Sequence, residues 1–226
     1  LTTPDFGAGL EGVYSARRDR LCGIRNGIDP SRFDPASDPA LPSRFDAKRP
    51  AGRAPCRAAL LEELALESPA PGALLCAIGR FVEQKGWDVL ASALDGLVAT
   101  GAGVALLGDG EPALREVLAA GAARHPGRVR LLTGWNEALA RRLFAGCDAV
   151  LVPSRYEPCG LVQLQAQRYG CLPVAHRVGG LVDTIVDGES GVLFSPLSPD
   201  ALVGAAVRAR GLFEDRGPQA VVRRLL

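Results

Sequence analysis

The stretch ALLCAIGRFVEQKGWDVLASALDGLVATGAGVALLG, residues 73–108, decides the fold. It opens on a continuous apolar run at 73–79. It then places Trp87, Leu90, Ala91, Leu94 and Leu97 at the spacing of one helix face, and closes on a second run, VALLG, at 104–108. An unbroken apolar run bounded by glycine has no wet face, so each run reads as a strand buried on both sides. A helix joining two such strands makes them parallel neighbours. The cycle repeats downstream. A helix near 113–124 leads to VRLLT at 129–133, one near 137–146 to AVLVP at 149–153, and one near 160–169 to LPVAH at 172–176. A short helix at 181–186, a stub at 191–194 and a helix over 199–213 follow. The alternation predicts an α/β fold, a Rossmann-like doubly wound parallel sheet over residues 71–226.

Residues 1–70 read differently. Pro30, Pro35, Pro39, Pro42, Pro50 and Pro55 break any long element, leaving a lead-in and connector with one helix expected over 57–66, where Leu60, Leu61 and Leu64 recur. The chain opens without methionine and stops inside the helical pattern PQAVVRRLL, so a piece excised at both ends is expected.

Composition narrows the function. Of 226 residues 47% are hydrophobic and 23% charged, with a net charge of +1. Disorder is excluded by that balance, and a membrane span by the lack of any apolar run near the ~20 residues required. A chain-wide basic field for nucleic acid is missing. The six cysteines form no C-x-x-C pair and read as free thiols of a reducing cytoplasm; His125 and His176 stand alone, so no metal site is expected. Gly7-Ala8-Gly9-Leu10-Glu11-Gly12 matches a dinucleotide fingerprint, but Leu1 to Phe6, with Pro4 among them, cannot supply its strand, and a nicotinamide cofactor is rejected. Neither a Walker A sequence nor a G-x-S-x-G elbow occurs. The arginine pairs Arg141-Arg142 and Arg223-Arg224 read as solvated helix faces.

Ligands of doubly wound sheets bind at the carboxyl ends of the strands, which singles out three loops. After the first strand, Gly79-Arg80-Phe81-Val82-Glu83-Gln84-Lys85-Gly86 carries a planar fork and a point charge able to grip a diphosphate; two solvated charges are the alternative. After the fourth strand, Pro153 to Val162 leads into a helix. There Pro158 holds Glu157 extended, the amides of Gly160, Leu161 and Val162 form an anion site, and Glu157 accepts hydroxyl hydrogens. Alternatively Glu157 caps the helix or pairs with Arg155, and Cys159 is a small buried residue. The third loop, Arg177 to Thr184, carries Gly179, Gly180 and Leu181. Its glycines let the backbone approach a ligand, or simply make a tight turn. Trp135 stacks on a base or covers the core.

Five segments in order resemble bacterial glycogen synthases and plant starch synthases, retaining glucosyltransferases that use ADP-glucose. TTPDFGAGLEGV is similar to the family's TPEFGxGLDGV, GIRNGIDPSRFDPASDP to GIxNGIDxxxWNPxTDP, and GRFVEQKGWDVL to SRLxxQKGxDLL. PSRYEPCGLVQLQAQRYGCLPV resembles PSRFEPCGLxQLxAxRYGxxPV, and VGGLVDTI resembles TGGLxDTV. The resemblance implies the C-terminal, nucleotide-sugar-binding half of a GT-B two-domain enzyme that transfers glucose to the non-reducing end of an α-1,4-glucan. It implies that Arg80 and Lys85 neutralise the departing ADP diphosphate and that Glu157 holds hydroxyls of the glucose. The Gly160 to Val162 amides would sit on phosphate, Cys159 near the sugar and Trp135 on adenine, in electrostatic catalysis without metal or other cofactor and by same-face displacement. Gly79 and the Gly179-Gly180-Leu181 turn join the substrate-binding set. The implied partners are ADP-glucose, the glucan and the enzyme's own N-terminal domain, in the cytoplasm or, for a plant member, the plastid. The family's N-terminal domain and the C-terminal helix that returns to it have no counterpart in this sequence, so little turnover is expected from the chain alone. Val178 stands where threonine is frequent and Gln165 where an aromatic is usual. The alternatives are a related transferase with another nucleotide sugar, and a non-catalytic nucleotide- or glucan-binding module.

Overall fold

The structure, a computed structural model, describes residues 7–67 and 69–226. Expectations that fall on Leu1 to Phe6, including the start of the TTPDFGAGLEGV segment, lie outside the described residues. Six strands form one parallel sheet: β1 Leu74–Ile78, β2 Gly103–Gly108, β3 Val129–Thr133, β4 Ala149–Val152, β5 Leu172–His176 and β6 Val192–Phe194, in the order β3-β2-β1-β4-β5-β6. The 191–194 stub is thus a true edge strand, in register with β5 from Val174 opposite Val192 to His176 opposite Phe194. Helices α1 Glu11–Ala16, α2 Ala54–Leu64, α3 Trp87–Ala99, α4 Pro112–Arg124, α5 Glu137–Gly146, α6 Val162–Arg168, α7 Gly180–Thr184, α8 Pro199–Arg216 and α9 Pro218–Leu225 complete the elements that matter here.

The central strands are wholly buried, and period-two alternation shares their side chains between two cores. Leu74, Cys76 and Ile78 of β1 join α2, α5 and α6 on one face; Leu75 and Ala77 join α3 and α8 on the other. Helix starts are chemically marked. Asn136 accepts the Leu139 amide at 2.9 Å ahead of α5, Ser198 accepts that of Ala201 at 3.2 Å ahead of α8, and α4 and α8 open on proline. Helix α6 begins two residues later than its apolar spacing suggests, because Gly160 takes a left-handed φ of +72°.

The strand order reverses between β1 and β4, which opens a crevice at their carboxyl ends. At the opposite ends Asp148 holds the two strands together, its Oδ2 accepting from the Leu74 amide at 2.9 Å and from Arg57 at 2.5 Å. The buried Arg53 beside it donates to the carbonyls of Phe144 and Cys147 at the end of α5.

Residues 21–49 form no helix or strand, yet Phe33, Leu41 and Phe45 are buried in the same core as α2 and α5. It is tied there by Arg32, which grips Glu137 at 2.6 and 3.0 Å, by Arg168 on Asp34 at 2.8 Å, and by the fully buried Tyr169 donating to Asp38 at 2.5 Å. Arg223 and Arg224 are exposed, as a solvated helix face requires, whereas Arg141 and Arg142 are half-buried, and all four are bonded to other elements. Arg142 forks onto Glu63 at 2.7 and 3.0 Å, Arg141 lies 3.6 Å from Asp38, Arg223 donates to the Ala47 carbonyl, and Arg224 pairs with Glu189. Periodicity locates a charge on a helix but not the acid facing it from another element. Among the described residues no helix is long and apolar enough to cross a membrane, and no group of three His, Cys, Asp or Glu is placed to hold a metal ion.

Candidate active site

At the β1/β4 crevice two loops meet backbone to backbone. Gly86 lies at φ +69°, and a Cβ there would fall 1.9 Å from the Pro153 carbonyl oxygen. Only glycine both tolerates that φ and permits that approach. The contact brings Lys85 to Glu157, Nζ to Oε2 at 2.5 Å, across 72 residues of sequence. Glu157 is 7% exposed and also accepts from Ser154 Oγ at 3.4 Å, while its Oε1 accepts from no described residue. A buried carboxylate needs such a partner, because charge in a low-dielectric site is costly unless paired. Neither alternative for Glu157 holds: it does not cap α6, and Arg155 pairs with Asp88 instead, at 2.7 and 2.8 Å.

The pair borders a pocket of about 60 Å³ that Gly79, Gly160, Leu161 and Val162 also line. The amides of Gly160, Leu161 and Val162 donate to no acceptor among the described residues. Gln163, wholly buried beneath them, turns its Nε2 onto the carbonyls of Cys159 and Gly160 at 2.9 and 2.8 Å and onto Thr184 Oγ1 at 3.1 Å. Gln163 thus takes up the loop's carbonyls while the three amides keep their donors unspent, a set suited to an anion. Cys159 is half-buried in the same loop.

Other expected residues lie around this centre. Arg80 is exposed and forms no ion pair with a described residue; its carbonyl, which Trp87 Nε1 meets at 2.6 Å, fixes the backbone and leaves the guanidinium free. Trp135, 70% exposed, borders a second pocket of about 300 Å³ with Arg32, Glu137 and Gln165. Leu161 lines both pockets and so joins them. The third loop packs against the Glu157 loop. The Gly180 amide donates to the Glu157 carbonyl at 2.8 Å, a Cβ on Gly179 would lie 2.2 Å from that same oxygen, and Leu181 is fully buried with its amide on the Val178 carbonyl at 3.2 Å. The close backbone approach foreseen for Gly179 and Gly180 is to the Glu157 loop, and these three residues line neither pocket.

A family model described as glycosyl transferases group 1 matches residues 72–210. The chain belongs to the group 1 glycosyl transferases. Within that family it is 41% identical to the glycogen synthase of Mesorhizobium japonicum over 99% of this chain and 48% of that protein. Identity to the glycogen synthase of Novosphingobium aromaticivorans is 45%, over 94% of this chain and 46% of the relative. Among solved structures, the catalytic domain of starch synthase IV from Arabidopsis thaliana, bound to ADP and acarbose, superposes with a TM-score of 0.91 at 30% identity, covering 99% of this chain and 48% of that one. This group 1 transferase chain therefore spans about half the length of the relatives it matches. The glycogen and starch synthase resemblance is borne out, as is the doubly wound sheet of one GT-B half.

The sequence reading of this transferase passed over Ser154, Asp88 and Gln163. Asp88 stands three residues beyond Lys85 and Gln163 three beyond Gly160, offsets that mark a helix start but carry no chemical signature by themselves.

Proposed function

We propose that this chain is the donor-binding half of a retaining glucosyltransferase that moves glucose from ADP-glucose to the non-reducing end of an α-1,4-glucan. The observation that carries the reading is the Lys85–Glu157 contact at 2.5 Å beside three amides that have no acceptor among the described residues, at the strand switch point. A diphosphate set on the Gly160 to Val162 amides would lie beside Lys85 and within reach of the free Arg80 fork. On this reading two side-chain cations, rather than a metal, balance the charge that builds on the departing ADP. Glu157 keeps Oε1 for hydroxyls of the glucose, and Cys159 borders the sugar. Trp135 takes the adenine in the second pocket, with Leu161 between base and phosphate. The ADP held by the Arabidopsis relative supports the nucleotide assignment. The glucan and the other half of the enzyme are inferred from the named relatives, which are about twice as long. Six free cysteines agree with a reducing cytoplasm.

Calorimetric titration with ADP, UDP and GDP tests this. ADP should bind selectively, and the Arg80→Ala/Lys85→Ala variant should lose the binding. Equal affinity for UDP or GDP, or undiminished binding by the variant, would overturn it. The isolated chain should extend glucan little; robust elongation would contradict that part.

A further inference from the structure

Beside the Lys85–Glu157 contact lies a second set of bonds that touches neither pocket. Arg155 sends its fork to both oxygens of Asp88, Nη1 to Oδ1 at 2.8 Å and Nη2 to Oδ2 at 2.7 Å, and Nη1 also meets the Glu83 carbonyl at 2.9 Å. Its amide donates to the Gln84 carbonyl at 2.8 Å, and Gln84 Nε2 donates to the Tyr156 carbonyl at 3.2 Å. These bonds join 83–88 to 155–156, flanking Lys85 on one loop and preceding Glu157 on the other. Lys85 has a flexible four-carbon stem, so its ammonium is placed only as well as its backbone is. Both Arg155 and Asp88 are partly exposed, and exposed pairs contribute little to stability. What a two-pronged pair does supply is geometry.

We propose that the Arg155–Asp88 pair is a positioning clamp: it fixes the spacing of the two loops and thereby holds Lys85 on Glu157 before any nucleotide arrives. Its relevance to turnover rests on the donor-site reading above, but the contact itself is testable without ligand. The chain contains only two lysines, Lys48 and Lys85. Acetylation by an N-hydroxysuccinimide ester, read residue by residue in a mass spectrometer, therefore reports Lys85 against the exposed Lys48 as an internal standard.

Wild type, Arg155→Gln, the isosteric Asp88→Asn and the double variant would be compared well below their melting temperatures. The Lys85/Lys48 rate ratio should rise about fivefold in each single variant, the scale set by losing a partly exposed pair, and no further in the double. An unchanged ratio overturns the clamp. So does additive behaviour in the double variant, which would make the two residues independent. Unfolding of both single variants would also overturn it, by making the pair a determinant of stability. Added ADP examines the donor reading separately. Protection of Lys85 in wild type supports that reading, whereas a raised ratio in the variants without ADP protection would retract it and leave the clamp standing.

Discussion

Gln163 shows how one buried amide can set the shape of a loop from beneath it. Its Nε2 occupies two loop carbonyls and a threonine hydroxyl, while Thr184 Oγ1 itself donates to the Gly180 carbonyl at 2.8 Å. All three partners accept, so the amide cannot be turned over without setting oxygen against oxygen. Gln163→Leu keeps the volume and strands the Cys159 and Gly160 carbonyls. The expected loss is about 2 kcal/mol of unfolding free energy, read from urea midpoints, together with weaker ADP binding. Lys85 and Glu157 were legible in the sequence because charged residues after buried strands are conspicuous. Gln163 was not, because a glutamine in the first turn of a helix looks the same whether it faces water or holds a loop.

At the scale of elements, the site depends on how closely loops approach, and glycine sets that distance. Gly86 meets Pro153, Gly179 meets the Glu157 carbonyl, and a Cβ on Gly180 would lie 2.6 Å from the Cys159 Cα. Gly188 offers a comparison, since its φ of +76° is also left-handed but nothing lies within 4 Å of its missing Cβ. Gly188→Ala should cost only the backbone strain, about 1 kcal/mol. Gly86→Ala adds a backbone collision and should cost about 3 kcal/mol, with Lys85 drawn off Glu157. Thermal melts of the two variants check the difference. The strands and helices behind these loops could be read from periodicity because each obeys one repeat. The third loop stayed open between two readings because a glycine pair signals a close approach without naming what is approached, a ligand or another stretch of backbone.

For the whole molecule, the connector is the lesson. Its prolines mark irregularity correctly, but Phe33, Leu41 and Phe45 follow no period, so the sequence offers no sign that they are core. Partners brought together from more than a hundred residues apart fix the segment, among them Tyr169 and Asp38. Burial and the neighbouring carboxylate both push the Tyr169 phenol well above its ordinary pKa, so it stays protonated and donates. Tyr169→Phe removes that donor and should cost about 1–2 kcal/mol, with chymotrypsin then cutting first between residues 29 and 50. Unchanged stability and an unchanged cleavage order would show the segment to be held by its apolar contacts alone.

Those ties have a mechanical consequence. Arg32 grips Glu137, the first residue of α5, two positions from Trp135, and Arg168, on α6, grips Asp34. Tension applied to the chain ahead of Asp29 is therefore not absorbed by slack. It passes as through a tie rod to α5 and α6, the helices bordering the second pocket, so a pull on the connector becomes a strain on that pocket's walls.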